Sequence, residues 1–240
     1  MVPKKVIIIG ATSGIGRELA LLYLADDWEV GVTGRRENNL IELKTRYAHK
    51  IHTSSFDVMG TENTFQLQKL ITEMRGIDLL IYNAGIGDPS PNLLWEIENK
   101  TTKTNVSGFV EIVSYAFNYF VEKGQGQIAV VSSMAALRGN SWAPAYSASK
   151  AYVSTYAEGL NIKAKKLKKD IVITDLKPGF IGTKKAKGNK RFWVASPHTA
   201  ALQMKQAIDA KKRHAYIPKR WWPVAQLMKV LPYFIYRRLA

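Results

Sequence analysis

Apolar positions along the chain fall into two alternating patterns. Short apolar, β-branched-rich runs at 6–9, 30–33, 51–56, 79–82, 128–132, 171–176 and 215–217 have the length of strands, and several are apolar at every position. Between them, apolar residues recur at the three-to-four-residue spacing of a helix, notably over 17–24, 62–74, a long stretch around 95–121, and 151–167. Strands that are apolar throughout need cover on both faces, so the alternation predicts an α/β chain whose parallel sheet is sandwiched by helices. No internal repeat, low-complexity tract or interdomain linker interrupts the pattern. The lysine-rich stretch 184–191 reads as a mobile loop.

At 240 residues the chain is long enough for one well-buried core, and a single domain is expected. It has no cysteine, which excludes disulfides and thiolate metal sites. The four histidines (His49, His52, His198, His214) make no zinc-ligand spacing, so no metal is expected. Lys4 and Lys5 precede an apolar run too short for a secretion signal and leading into a glycine turn; it reads as a buried strand, with the cytoplasmic side as the expected location.

Charge changes the picture at one end only. Residues 1–175 hold 20 Lys or Arg against 18 Asp or Glu, whereas 176–240 hold 15 against the single Asp209, so the last quarter supplies +14 of the net +16. Such local imbalance points to an anionic partner: nucleotide phosphate, membrane lipid or nucleic acid. Within it, residues 221–236 are apolar and aromatic, flanked by Lys219, Arg220, Arg237 and Arg238. The run is too short to span a bilayer, and a lysine and two prolines lie inside it. Tryptophans, tyrosines and bracketing cations suit an interfacial membrane segment; a subunit interface, a cover over a substrate pocket and a packed tail are the other readings. A nucleic-acid surface is disfavoured, because the aromatics cluster with aliphatics instead of spacing themselves among the lysines. The expected organisation is a catalytic domain over 1–218 followed by this segment at 219–240.

Three stretches carry candidate chemistry. The first strand enters Gly10-Ala11-Thr12-Ser13-Gly14-Ile15-Gly16 and then a helix; glycines there let backbone N–H groups approach a pyrophosphate. The second strand ends in Gly34-Arg35-Arg36. Tyr146 and Lys150 stand four residues apart at the start of a helical pattern, on one face, where an ammonium beside a phenol favours phenolate. A surface pair is the other reading of that spacing.

Gly10-x-x-x-Gly14-x-Gly16, Asn83-Ala84-Gly85, Ser133 thirteen residues before Tyr146, Lys150, and Pro178-Gly179 followed by Thr183 together resemble the short-chain dehydrogenase/reductase family over residues 4–183. The resemblance implies a single-domain, doubly wound Rossmann-type fold that binds NAD(P) and moves hydride between nicotinamide and a carbonyl or alcohol. It makes Tyr146 the acid or base, has Lys150 lower its pKa and hold the nicotinamide ribose, has Ser133 bond the substrate oxygen, and has Asn105 hold a water linking the lysine to solvent. Thr12, Ser13 and Ile15 fall within the phosphate turn. Asp57 and Val58 would meet the adenine; Asn83, Ala84 and Gly85 would pass the adenosine; Pro178, Gly179, Ile181 and Thr183 would hold the carboxamide. Tyr82 departs from the family pattern, where a second asparagine is common. In such a fold an acid at the end of the second strand bonds the ribose 2′-hydroxyl of NAD, whereas arginine suits the 2′-phosphate of NADP. Glycine stands there instead, followed by Arg35, so NADP(H) is expected over NAD(H).

Pocket residues are expected from 134–143, Phe180 and a variable lid at 184–193. Trp142, Phe180, Phe192 and Trp193 suggest a small apolar carbonyl or alcohol substrate of lipid-, steroid- or acyl-like character. By resemblance the protein is expected to be a dimer or tetramer. The alternatives are a non-catalytic NADP(H)-binding protein, or a membrane- or nucleic-acid-associated protein on the same fold.

Overall fold

The computed structural model describes residues 3–182 and 193–238. Among them seven strands make one parallel sheet: β1 (Lys5–Ile9), β2 (Glu29–Gly34), β3 (Ile51–Ser55), β4 (Leu79–Tyr82), β5 (Gln125–Val131), β6 (Asp170–Pro178) and β7 (His214–Ile217). Their order is β3-β2-β1-β4-β5-β6-β7. The chain winds outward from β1 to β3, then crosses back to β4 on the other side of β1. That reversal leaves a crevice beyond the carboxyl ends of β1 and β4, where doubly wound sheets bind ligands.

β1 shows why its run is apolar throughout. Successive strand residues face opposite sides. Val6 and Ile8 enter a core with α1 (Gly14–Ala25), α2 (Glu37–Arg46) and α7 (Pro197–Asp209), while Ile7 and Ile9 enter a second core with α3 (Asn63–Glu73), α5 (Gly108–Lys123) and α6 (Pro144–Lys166). Helices α2 and α7 were not among the segments singled out by periodicity. α2 is mostly polar, with Leu40 and Leu43 alone buried; α7 announces itself by its cap, Ser196 accepting from the Thr199 amide at 3.0 Å with Pro197 at its first position.

The long helical stretch is continuous but not uniform. α4 (Trp95–Thr102) passes into a π-type turn over Lys103–Ser107 and then into α5. Wide turns of this kind displace one residue from the regular ladder and often mark functional positions; Asn105 lies inside it. Tyr82, the departure from the family pattern, donates its hydroxyl to the Thr104 carbonyl at 3.2 Å and so bonds to the turn directly. Pro144 opens α6, and Lys163, Lys165 and Lys166 occupy its last turn, where positive charge meets the helix dipole favourably.

The C-terminal segment packs onto the body. Trp221 and Ala225 join Met134 and Tyr216 in a third small core, ahead of and within α8 (Trp222–Val230), which leads to α9 (Tyr233–Tyr236). Among the described residues, no helix is long and apolar enough to cross a membrane, and no group of His, Asp and Glu could hold a metal ion.

Candidate active site

The first two turns of α6 bring Tyr146 and Lys150 against the end of β5. Lys150 is buried, and its ammonium donates to the Val131 carbonyl at 2.8 Å. Burial draws it down to about 8, with the nearby Asp175 carboxylate opposing the shift. Its Nζ lies 5.9 Å from the centre of the Tyr146 ring. Ser133 follows β5 and lies beside the Tyr146 phenol, while its Oγ accepts the Ala135 amide at 3.1 Å. The phenol responds differently from the expectation. Burial is the larger influence and pushes it up; the counterweight is the neighbouring Ser133 hydroxyl, not Lys150.

Asn105 is brought to the same place from the π-type turn. Its Oδ1 accepts the Ile86 amide at 2.9 Å, and its Nδ2 donates to the Ile86 carbonyl at 2.8 Å and the Ser149 hydroxyl at 2.9 Å. The π-type turn, α6 and the loop after β4 are thereby tied together. A Cβ on Gly85 would lie 3.0 Å from Lys150 Nζ and 3.3 Å from Asn105 Oδ1, so the Asn83-Ala84-Gly85 backbone passes directly over this group.

The glycine turn stands next to it, at the crevice between β1 and β4. Gly10 has φ +86, and a Cβ there would come within 2.8 Å of the Ala84 backbone. The Asn83 amide donates to the Gly10 carbonyl at 2.8 Å and locks the two loops together. Ser13 precedes α1 without capping it, and no acidic residue occupies its first turn, so the helix offers amide donors that no side chain accepts from. This chemistry fits a pyrophosphate. Arg36 lies along the turn, donating to the Thr12 hydroxyl at 2.6 Å and to Ser13 Oγ at 2.5 Å. Arg35 turns instead toward Asp57, 3.4 Å away, in an ion pair open to solvent. Such a pair contributes little, so an anion can displace it. Val58 follows Asp57 and accepts from Asn63 Nδ2 at 3.0 Å.

Pro178 ends β6, and Gly179 leads to Ile181, which bridges to Ala195 beside the Gly182-to-Ala195 hydrogen bond of 2.9 Å. Thr183, the lysine-rich 184–191 and Phe192 lie outside the described residues.

Comparison with known proteins decides what this arrangement belongs to. The family model described as short chain dehydrogenase matches residues 4–192. The chain belongs to the short-chain dehydrogenase/reductase family. An uncharacterised oxidoreductase of Mycobacterium tuberculosis is 32% identical over 99% of this chain and 97% of its own length. An NADP-dependent 3-hydroxy acid dehydrogenase of Escherichia coli is 28% identical, covering 74% of this chain and 72% of the relative. Among solved structures, a short-chain dehydrogenase from Streptomyces avermitilis superposes with a TM-score of 0.82 at 21% identity, covering 93% of this chain and 92% of that one. ElxO with NADP bound gives a TM-score of 0.80, also at 21%, covering 92% and 100%.

Two features of this short-chain dehydrogenase/reductase escaped the sequence reading. Asp175, buried in β6, accepts from the hydroxyls of Ser132 and Ser154, the latter at 2.7 Å, and pairs closely with the Lys177 ammonium. This knot joins β6 to α6 and to the residue preceding Ser133; two charges inside a buried strand were the available signal. Arg138 is the other, and it binds the C-terminal segment.

Proposed function

We propose that this enzyme is an NADPH-dependent reductase of small apolar carbonyl compounds, with Tyr146 delivering the proton to the substrate oxygen. The observation that carries this reading is a buried lysine anchored to the Val131 carbonyl at the end of β5, its Nζ 5.9 Å from the centre of the Tyr146 ring, with Ser133 beside the phenol. A phenol pushed up by burial stays protonated at neutral pH, which suits a proton donor and hence the reducing direction. Ser133 orients it, and Lys150 keeps positive charge below about pH 8 beneath the developing oxyanion. Asn105 fixes the loop after β4 against α6.

The nicotinamide, when bound, supplies the hydride. Thr12, Ser13 and the first turn of α1 would take its pyrophosphate; Asp57, Val58 and Asn83–Gly85 would flank the adenosine, and Ile181 the carboxamide. Arg36 already lies along the glycine turn, and Arg35 can leave its exposed pair with Asp57, so both guanidinium groups suit a 2′-phosphate. The NADP bound to ElxO and the NADP dependence of the Escherichia coli relative support the same choice. Met134, Phe180, Trp193 and Val194 give the side beyond Ser133 and β6 its apolar character and support an apolar substrate.

Steady-state NADPH oxidation against a panel of apolar aldehydes and ketones tests the assignment. Tyr146→Phe should reduce turnover by roughly 10²–10⁴-fold while NADPH binding persists. An undiminished rate would contradict it.

A further inference from the structure

The C-terminal segment keeps apolar side chains on both sides of α8. Inward, Trp221 and Ala225 are buried against Met134 and Tyr216. Outward, Trp222, Leu227 and Val230 on α8 and Tyr233, Phe234 and Ile235 on α9 are exposed, Val230 at 77% and Tyr233 at 71%. A helix with apolar residues facing water calls for an occupant on that side.

Charge selects among the occupants. Lys219, Arg220, Lys229, Arg237 and Arg238 flank or interrupt these residues along the chain, all exposed, and no acidic residue follows Asp209. A second copy docked about a twofold axis would set the same patch against itself and bring these cations together, which opposes association. An anionic lipid surface instead neutralises these cations, while tryptophan and tyrosine rings suit the headgroup boundary.

The face is also strapped to the active site. Arg138 donates to the carbonyls of Met228 at 3.1 Å and Leu231 at 2.8 Å, at the end of α8, and its guanidinium stacks 4.4 Å from the centre of the Tyr236 ring. Tyr236 donates to the Gly139 carbonyl at 2.6 Å. Arg138 and Gly139 belong to the connection between Ser133 and Tyr146. On the other side, the Trp221 ring meets Phe180 and Trp193, and it approaches so closely that a Cβ on Gly179 would lie 2.3 Å from it.

We infer that α8 and α9 dock this protein peripherally on an anionic lipid surface, placing the apolar side of the active site where it draws its substrate from the lipid. The substrate clause rests on the reductase reading; the docking clause does not.

Co-sedimentation of the full chain with vesicles of phosphatidylcholine, with and without phosphatidylglycerol, tests the docking. The protein should pellet with the phosphatidylglycerol vesicles at low salt and much less with phosphatidylcholine alone. Trp222→Ser, Leu227→Ser and Phe234→Ser combined should weaken partitioning about tenfold or more, and so should charge reversal of Lys219, Arg220, Arg237 and Arg238 to Glu. Because all seven side chains are exposed, both variants should fold and keep the wild-type NADPH titration. Failure of the full chain to pellet with phosphatidylglycerol vesicles overturns the inference, as does undiminished binding by both variants. Sedimentation equilibrium without vesicles covers the remaining occupant: an oligomer that the apolar variant dissociates would assign the face to a second copy and overturn it too. Vesicle binding without NADPH binding would sink the reductase reading alone; NADPH binding without vesicle binding would sink the docking alone.

Discussion

Burial draws the Lys150 ammonium down to about 8 from an ordinary 10.5, and the Asp175 carboxylate works against the shift. Because the folded value is the lower one, between about 8 and 10.5 the unfolded chain holds the extra proton, and this group's contribution to stability increases with pH across that window. Activity runs the other way. Carbonyl reduction should decline above about pH 8 as Lys150 loses its charge, and a pH–rate profile flat to about pH 10 would contradict that role. Asp175 has a structural part as well: Asp175→Ala would leave Lys177 buried without its carboxylate partner, at a cost of about 3 kcal/mol or more. Denaturant unfolding measures it; a loss under about 1 kcal/mol would show that the pair is not needed. The residue scale is also where the sequence was least informative. Tyr146, Lys150 and Ser133 stand out by their spacing within the ordered set of motifs and Asn105 by the family resemblance alone, and the structure brings Asn105 and Lys150 against the same Gly85 backbone. Which of two adjacent arginines lies along the glycine turn could not be singled out, since side-chain direction depends on Thr12, Ser13 and Asp57 from two other loops. Asp175 stays hidden in a strand judged by its apolar neighbours, because its partners are Lys177 on the same strand, Ser132 just after β5 and Ser154 on α6.

Elements were more legible, for a simple reason. All seven strands fall at the runs singled out in the sequence, most plainly β1 and β4, because a sheet covered on both faces leaves its central residues little choice; β3, at the edge, buries Ile51 alone. Their ends were less so: β5 begins at Gln125 and β6 at Asp170, where edge positions are solvated and composition no longer constrains the backbone. α2 lacked a wide apolar stripe, and α7 was recorded in its cap more than in its periodicity. Placement of the C-terminal helices depends on one guanidinium fork. Arg138→Lys keeps the charge but loses bonds to two carbonyls and the stacking on Tyr236, so α8 should loosen. Limited proteolysis should then cut within 219–238 several-fold faster than in the wild type; equal rates would show that Trp221 packing alone holds the segment.

At the scale of the whole molecule, the sheet order sets the crevice, the first turn of α1 supplies unpartnered amide donors to it, and two arginines at the end of β2 supply charge. In the proposed reading these are the parts of a dinucleotide site, and charge makes its choice of cofactor. A 2′-phosphate gripped by a guanidinium gains roughly 1.5–3 kcal/mol from charge-assisted hydrogen bonds that a 2′-hydroxyl cannot match. Fluorescence titration of the folded protein with NADPH and, in parallel, with NADH tests this most directly. NADPH should bind at least about tenfold more tightly, and Arg35→Asp should erase most of that difference while leaving NADH affinity nearly unchanged. Equal affinities for the two cofactors, or equal losses of both in the variant, would contradict the arginine site; no binding of either would remove the reductase assignment with it.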